Sequence, residues 1–429
     1  MADLAQEIQV KISANQIPDL ELPADLTAPF YQGASILNTP NSVCCLLGAP
    51  PISEAPALLP EILDPISGGV KKVLLILMDA LAFHRLQAWM AAEPEIVWNQ
   101  LLPRAVLSPL TSIVPSTTNA ATTTYWTGQP AARHGITGYE VWLKEYGIVA
   151  NMIQHKPITF NGPSDSLEQA GFSAESYLDI PTMGAHLKEH GVSTHVFQPV
   201  HILNSGLSRM FFMDAELHPV FSPADLWIGV RELWQQASEE PMYTWVYWDE
   251  VDGRSHFHGP DDERPQAGFS VFSHAFETLF LNKLSPAELK DTVLILTADH
   301  GQITTPNPAP QYLLQEHRYL TERLHILPTG ENRLAFLYPK PGEIQAVIDY
   351  IMSTWPEQFL LLESEHAARK GLFGSGQLHP QLFERIGDLI AVARNDAYFW
   401  WGNKKNPLIG RHGGMHPEEM LVPFMAVRW

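Results

Sequence analysis

Val73-Leu74-Leu75-Ile76-Leu77-Met78-Asp79 is the stretch that decides the fold. An unbroken apolar run of this length reads as a strand covered on both faces, the mark of a parallel sheet flanked by helices. Asp79 closes the run. The pattern recurs at Tyr243-Thr244-Trp245-Val246-Tyr247-Trp248, followed by Asp249 and Asp252, and at Thr292-Val293-Leu294-Ile295-Leu296-Thr297, followed by Asp299 and His300. Between them Phe269, Phe272, Phe276, Leu279 and Phe280 fall at three- and four-residue spacing on one helix face. The alternation predicts an α/β fold with a mostly parallel central sheet flanked by helices. In such sheets ligands bind beyond the carboxyl ends of the strands, so the polar residues after Met78, Trp248 and Thr297 are expected to share one edge.

A second alternation begins near Arg333. Leu334-Ala335-Phe336-Leu337-Tyr338 reads as a strand, residues 343–355 as a helix, and Phe359-Leu360-Leu361-Leu362 and Asp388-Leu389-Ile390-Ala391-Val392 as further strands. Residues 306–404 are therefore expected to form a small inserted α+β cap over a catalytic α/β domain made of residues 71–305 and 405–429. Residues 1–70 are expected to form an N-terminal arm whose structure the pattern does not specify.

Composition narrows the function. With 27 Lys and Arg against 47 Asp and Glu, the formal charge of -20 excludes a sequence-independent grip on nucleic acid, whereas a bound divalent cation would offset part of the acidity. The two cysteines, Cys44 and Cys45, are adjacent, which excludes a disulfide framework and a cysteine zinc site and fits a reducing compartment. Residues 1–19 lack the basic start and apolar stretch of a secretory signal, and the run ending at Met78 is far too short to span a membrane. The expected location is the cytoplasm; no oligomeric state can be read.

The polar residues at the strand ends are of one chemical kind. Asp252 and His256, four apart, can reach one divalent ion from a turn or short helix, and His258 competes with His256 for that place. Asp299 and His300 are adjacent at a strand end, and Gly410-Arg411-His412-Gly413-Gly414 adds an imidazole among small neighbours. Singly, each has a plainer reading, since an Asp that closes a strand is often a helix N-cap. Together, Asp and His without Cys favour zinc, manganese or iron, and so many donors imply two ions rather than one. Such a pair, roughly 3.5–4 Å apart, clamps the attacking and leaving oxygens of an in-line displacement, so the chemistry indicated is phosphoryl transfer. In Pro115-Ser116-Thr117-Thr118-Asn119-Ala120, three hydroxyls precede a helix through Tyr125 and Trp126 and supply either an N-cap or a nucleophile. Tyr139, Trp142 and Phe399-Trp400-Trp401 can stack on a base or lipid tail, or pack in the core.

In this chain order the motifs resemble the alkaline phosphatase superfamily, and more closely its type I phosphodiesterase and nucleotide pyrophosphatase branch. The likeness rests on Asp79, on Pro115 to Thr118 leading to Thr127-Gly128 and Arg133-His134-Gly135-Ile136, and on the stretches Asp252 to Pro260, Asp299 to Gly301 and His412 to Pro423. It is weakest in the cap. The resemblance implies that Asp252, His256 and His412 hold one ion and that Asp79, Asp299, His300 and the nucleophile hold the other. It makes Thr118 the nucleophile, with Ser116 and Thr117 as alternatives of register; the family's phosphate-supporting Asn three residues later is Ala121 here, so Asn119, next to Thr118, is the substrate-binding candidate in its place. Two divalent ions are implied, zinc first, with manganese or iron possible. The implied enzyme is a hydrolase that cleaves phosphate diester or pyrophosphate bonds of small phosphate esters or nucleotides through a phospho-threonine intermediate. A phosphomonoesterase, phosphomutase or phosphonate hydrolase would use the same donors, and a non-catalytic binding protein is the alternative of another class.

Overall fold

A computed structural model describes residues 4–159, 162–236 and 240–429. Its main sheet has seven strands in the order Ala105–Thr111, Leu421–Arg428, Thr292–Thr297, Lys72–Met78, Met242–Trp248, Ser193–Pro199 and Glu216–Val220. Leu421–Arg428 runs antiparallel to both its neighbours, and every other pairing in the sheet is parallel. The three apolar runs of the sequence are adjacent central strands. Met78 pairs with Trp248 and Leu77 with Thr297, so the three strands end level. Asp79, Asp249 and Asp299 therefore leave the sheet side by side.

The phenylalanine stripe behaves as its spacing predicts. Helix Glu263–Ala275 continues into a π-helical turn, Phe276–Phe280, and Phe272, Phe276 and Phe280 pack edge-on or tilted against Trp227. All three are essentially buried, and each contributes about 1.5–3 kcal/mol by leaving water.

A second, antiparallel sheet stands over the carboxyl edge. Its order is Phe359–Glu363, Leu389–Ala393, Leu334–Leu337, Thr329–Glu331, Glu140–Leu143, Ile148–Asn151 and Lys156–Pro157. Four of these strands lie within residues 306–404, and three come from residues 140–157, outside the stretch expected to build the cap. Strands of two to four residues carry too short a period to be read. The join is at Gly330, which pairs with Glu140, and a Cβ on Gly138 would sit 2.5 Å from the Gly330 Cα.

Residues 4–70 cover the far edge of the main sheet. Leu4 N–H donates to the Leu107 carbonyl at 2.9 Å, and helix Ala5–Ala14 buries Ile8 and Ile12 beside strand Ala105–Thr111. Among the described residues no helix is long and apolar enough to cross a membrane.

Candidate active site

The site gathers at the carboxyl ends of the three central strands. Asp79 turns off Lys72–Met78, and the chain bends sharply after it, with Ala80 at φ 62°. Asp299 follows Thr292–Thr297, and its Oδ1 accepts from the N–H groups of Ala80 at 3.2 Å and His300 at 3.0 Å. Asp252 and His256 lie one turn apart on helix Glu250–His258, with His256 Nε2 3.3 Å from Asp252 Oδ1. His258, on the same helix, is exposed. Of the two histidines, His256 is the one that faces Asp252. His412 comes from the glycine loop and puts its Nε2 3.9 Å from the same Asp252 oxygen.

Three imidazoles share one arrangement. The Nδ1 of His300 bonds to the Gly301 carbonyl at 3.0 Å, that of His256 to the Gly410 carbonyl at 2.9 Å, and that of His412 to the Ser116 carbonyl at 3.1 Å. A carbonyl only accepts, so each Nδ1 donates, an arrangement that in the neutral ring leaves the Nε2 lone pair free for a metal. Backbone carbonyls that orient imidazoles in this way are the usual support of metal-binding histidines. The ligand atoms of Asp252, His256 and His412 lie within 4.8 Å of one another, as do those of Asp79, Asp252 and His300. His300 Nε2 is also 3.6 Å from Asp299 Oδ2.

The electrostatics fit bound cations. Asp79 Oδ1 and Asp299 Oδ2 are buried without a hydrogen-bond partner. Burial first, then the charge of Asp299, pushes the Asp79 carboxyl well above the ordinary carboxylate range; burial raises Asp299 as well. Burial and the neighbouring His300 and His256 hold His412 well below the usual imidazole range. Carboxylates that repel each other beside an imidazole, His412, that resists protonation form a donor set suited to a divalent metal.

Thr118 opens helix Thr118–Thr127. Its Oγ1 lies 3.1 Å from His300 Nε2, and it is 9 % exposed. The Ser116 hydroxyl is spent on the Gly414 carbonyl at 2.7 Å, and Thr117 is fully buried. Asn119 does not join the cleft. It is fully buried, its Nδ2 donates to the Gly138 carbonyl at 2.6 Å, and its Oδ1 accepts from the Ala120 N–H at 3.0 Å. One residue along a helix is a rotation of about 100°, which carries Asn119 away from the face that Thr118 presents.

Several supporting residues carried no sequence signal that we read. Tyr247 donates its hydroxyl to Asp79 Oδ2, and Gln302 donates its amide to Asp252 Oδ1. Tyr247 sat in an apolar run and was legible only as a strand residue, while Gln302 follows Asp299-His300-Gly301 and marks where that motif extends. A buried pair, Arg333 with Glu419 at 2.8 and 2.9 Å, also supports the His412 loop, because Glu419 Oε1 accepts from the Gly414 N–H at 2.9 Å.

Two cavities meet at Thr118. One, of about 370 Å³, is lined by Trp126, Phe211, Trp245 and Tyr247 and reaches Asp79. The other, of about 410 Å³, is lined by Tyr139, Trp400, Trp401 and Arg411 and reaches His256 and His412. Thr118 and Asp252 line both. The aromatic candidates thus divide, for Phe399 is buried in the core of the second sheet, stacked 4.0 Å from Phe359, and Trp142 packs against the main core.

A mostly parallel sheet whose central strands end in clustered carboxylates and imidazoles beside one hydroxyl is an alkaline phosphatase-like architecture. The chain belongs to the type I phosphodiesterase / nucleotide pyrophosphatase family, whose model matches residues 73–416. It is 26 % identical to human ectonucleotide pyrophosphatase/phosphodiesterase family member 5 over 190 residues, which cover 42 % of this chain and 37 % of that protein. Among solved structures, an inactive variant of murine ectonucleotide pyrophosphatase/phosphodiesterase 5 in complex with AMP superposes with a TM-score of 0.60 at 20 % identity, covering 83 % of this chain and 88 % of that one. The phosphonoacetate hydrolase of Sinorhizobium meliloti, bound to phosphonoformate, does so with a TM-score of 0.59 at 17 % identity, covering 84 % and 90 %.

Proposed function

We propose that this chain is a metal-dependent phosphodiesterase/nucleotide pyrophosphatase with Thr118 as its nucleophile. The observation that carries the diester reading is the place of Thr118 between two cavities of similar size. A phosphorus atom at its Oγ1 has room for a substituent on each side, whereas a monoester would leave one side empty. The aromatic linings suit a nucleoside or another flat or apolar group. AMP in the murine relative supports a nucleotide substrate.

Asp79, Asp299 and His300, with Thr118, are the donors for one ion, and Asp252, His256 and His412 those for the other. Zinc fits this nitrogen and oxygen set, as do manganese and iron. Bound there, divalent ions supply positive charge against the phosphate and lower the pKa of the attacking hydroxyl. The protein supplies position. Thr122 Oγ1 donates to the Thr118 carbonyl at 2.6 Å and the Ala121 N–H to the Thr117 carbonyl at 2.9 Å, which fixes the backbone under the nucleophile. The N-terminal end of helix Thr118–Thr127 adds its positive dipole end beside the phosphate. Attack by Oγ1 on phosphorus gives a phospho-threonine, the leaving group departs into one cavity, and water hydrolyses the intermediate.

Parallel hydrolysis of bis-p-nitrophenyl phosphate, p-nitrophenyl phosphate, a nucleoside triphosphate and phosphonoacetate by zinc- or manganese-loaded protein tests this reading. The diester and the nucleotide are expected to be turned over fastest. Faster cleavage of the monoester would make the chain a phosphatase or mutase, and faster cleavage of phosphonoacetate a phosphonate hydrolase.

A further inference from the structure

The open edge of the main sheet carries a second group of metal-type donors. His195 stands on strand Ser193–Pro199, and Glu216 and His218 stand on the neighbouring edge strand Glu216–Val220. The strands are parallel, with His195 opposite Glu216 and Phe197 opposite His218. Side chains alternate along a strand, so all three donors share one face with Phe197, the face on which Phe197 meets Gly229 of helix Pro223–Gln236.

Their polar atoms converge. His195 Nδ1 lies 3.1 Å from His218 Nε2 and 3.5 Å from one Glu216 oxygen, and the other Glu216 oxygen lies 3.8 Å from His218 Nε2. All three ligand atoms fall within 4.8 Å of one another. Packing holds the rings. Phe197 stacks flat on His218, with centroids 4.3 Å apart and planes 9° from parallel, and His195 is 7 % exposed. Burial keeps both imidazoles below their ordinary range, so their nitrogens are available as ligands at neutral pH. The Glu216 side chain is 66 % exposed, which leaves an approach from solvent.

We infer that His195, Glu216 and His218 form a binding site for a divalent transition ion, zinc in kind, that clips the edge strand to its neighbour. Two imidazoles and a carboxylate are a known zinc donor set, with a further position left for water. The site is separate from the catalytic cluster, since His195 lies four residues, roughly 13 Å of extended strand, before the end of its strand at Pro199. An ion there joins two strands rather than touching substrate, so its effect is on stability.

Cobalt titration followed by visible absorption, with equilibrium dialysis for stoichiometry, tests the assignment on the full chain. Wild type is expected to hold one equivalent more than His218→Ala, whatever number binds elsewhere. Glu216→Gln, a change at an exposed side chain that leaves the fold intact, is expected to weaken that equivalent at least about tenfold. Zinc is expected to raise the Tm of wild type more than that of either variant, while both variants hydrolyse bis-p-nitrophenyl phosphate at the wild-type rate. Equal stoichiometry and affinity in wild type and Glu216→Gln would overturn the site, as would an extra equivalent that binds only at millimolar cobalt. If His218→Ala does not fold, Glu216→Gln decides alone.

Discussion

Thr118 Oγ1 and His300 Nε2 lie 3.1 Å apart, although 182 residues separate them in the chain. The contact joins the start of a helix to the end of the strand Thr292–Thr297, and it aims the hydroxyl at the cluster of carboxylates. The proposed attack by that hydroxyl has direct consequences.

Thr118→Ala removes the proposed nucleophile and leaves Asp79, Asp299 and His300 in place. Turnover of bis-p-nitrophenyl phosphate is expected to fall by about a thousandfold or more while bound metal is retained. Steady-state kinetics beside elemental analysis check both halves, and turnover near the wild-type rate would move the nucleophile elsewhere.

His256 and His258 occupy the same helix, one turned to Asp252 and the other exposed. His256→Ala is expected to weaken metal binding by roughly tenfold to a hundredfold or more, whereas His258→Ala is expected to change neither metal content nor rate. Metal-binding isotherms of the two variants separate the roles; equal losses would contradict them.

Chelation would strip the proposed ions whose charge balances Asp79, Asp252 and Asp299. Dialysis against a chelator is expected to abolish hydrolysis and lower the Tm, and added zinc or manganese to restore both. Activity that survives exhaustive chelation would rule out a metal-dependent site.

Asn119 spans a buried gap to the Gly138 carbonyl rather than reaching the cleft. Asn119→Ala is expected to cost about 1–3 kcal/mol of stability, because a buried carbonyl loses its donor, with KM changed little. Urea unfolding and kinetics read the two effects separately. A large rise in KM at unchanged stability would return Asn119 to the phosphate.

Glu140 is half-buried against Trp401, whose indole N–H donates to it at 2.7 Å, and desolvation pushes its carboxyl up to about 7. A carboxyl that binds its proton more tightly when folded stabilises the fold below its unfolded value near 4.5 and loses that contribution as pH rises to about 7. Wild type is therefore expected to lose roughly 2–4 °C of Tm relative to Glu140→Gln between pH 4.5 and 8. Parallel Tm-against-pH curves for the two proteins would disprove it.

The sheet and most of the metal-type donors were legible in the sequence for a simple reason. A strand buried on both faces must be an apolar run, and in a parallel sheet the residues that follow such runs gather at one edge. Asp79, Asp252, Asp299 and His300 could be named from that rule, and the glycine-rich loop Gly410 to Gly414 offered His412. Tertiary structure decided everything that depends on direction. It turned His256 inward and His258 out, and it turned Asn119 away from Thr118, because position around a helix is set by what the helix packs on. It pinned three imidazoles on the carbonyls of Gly301, Gly410 and Ser116, two of which lie more than a hundred residues from the ring they hold. It also brought Glu140 and Ile153 together with Trp401 to line a cavity beside Thr118. A linear pattern records which faces are apolar; only packing between distant segments sets where a lone pair points.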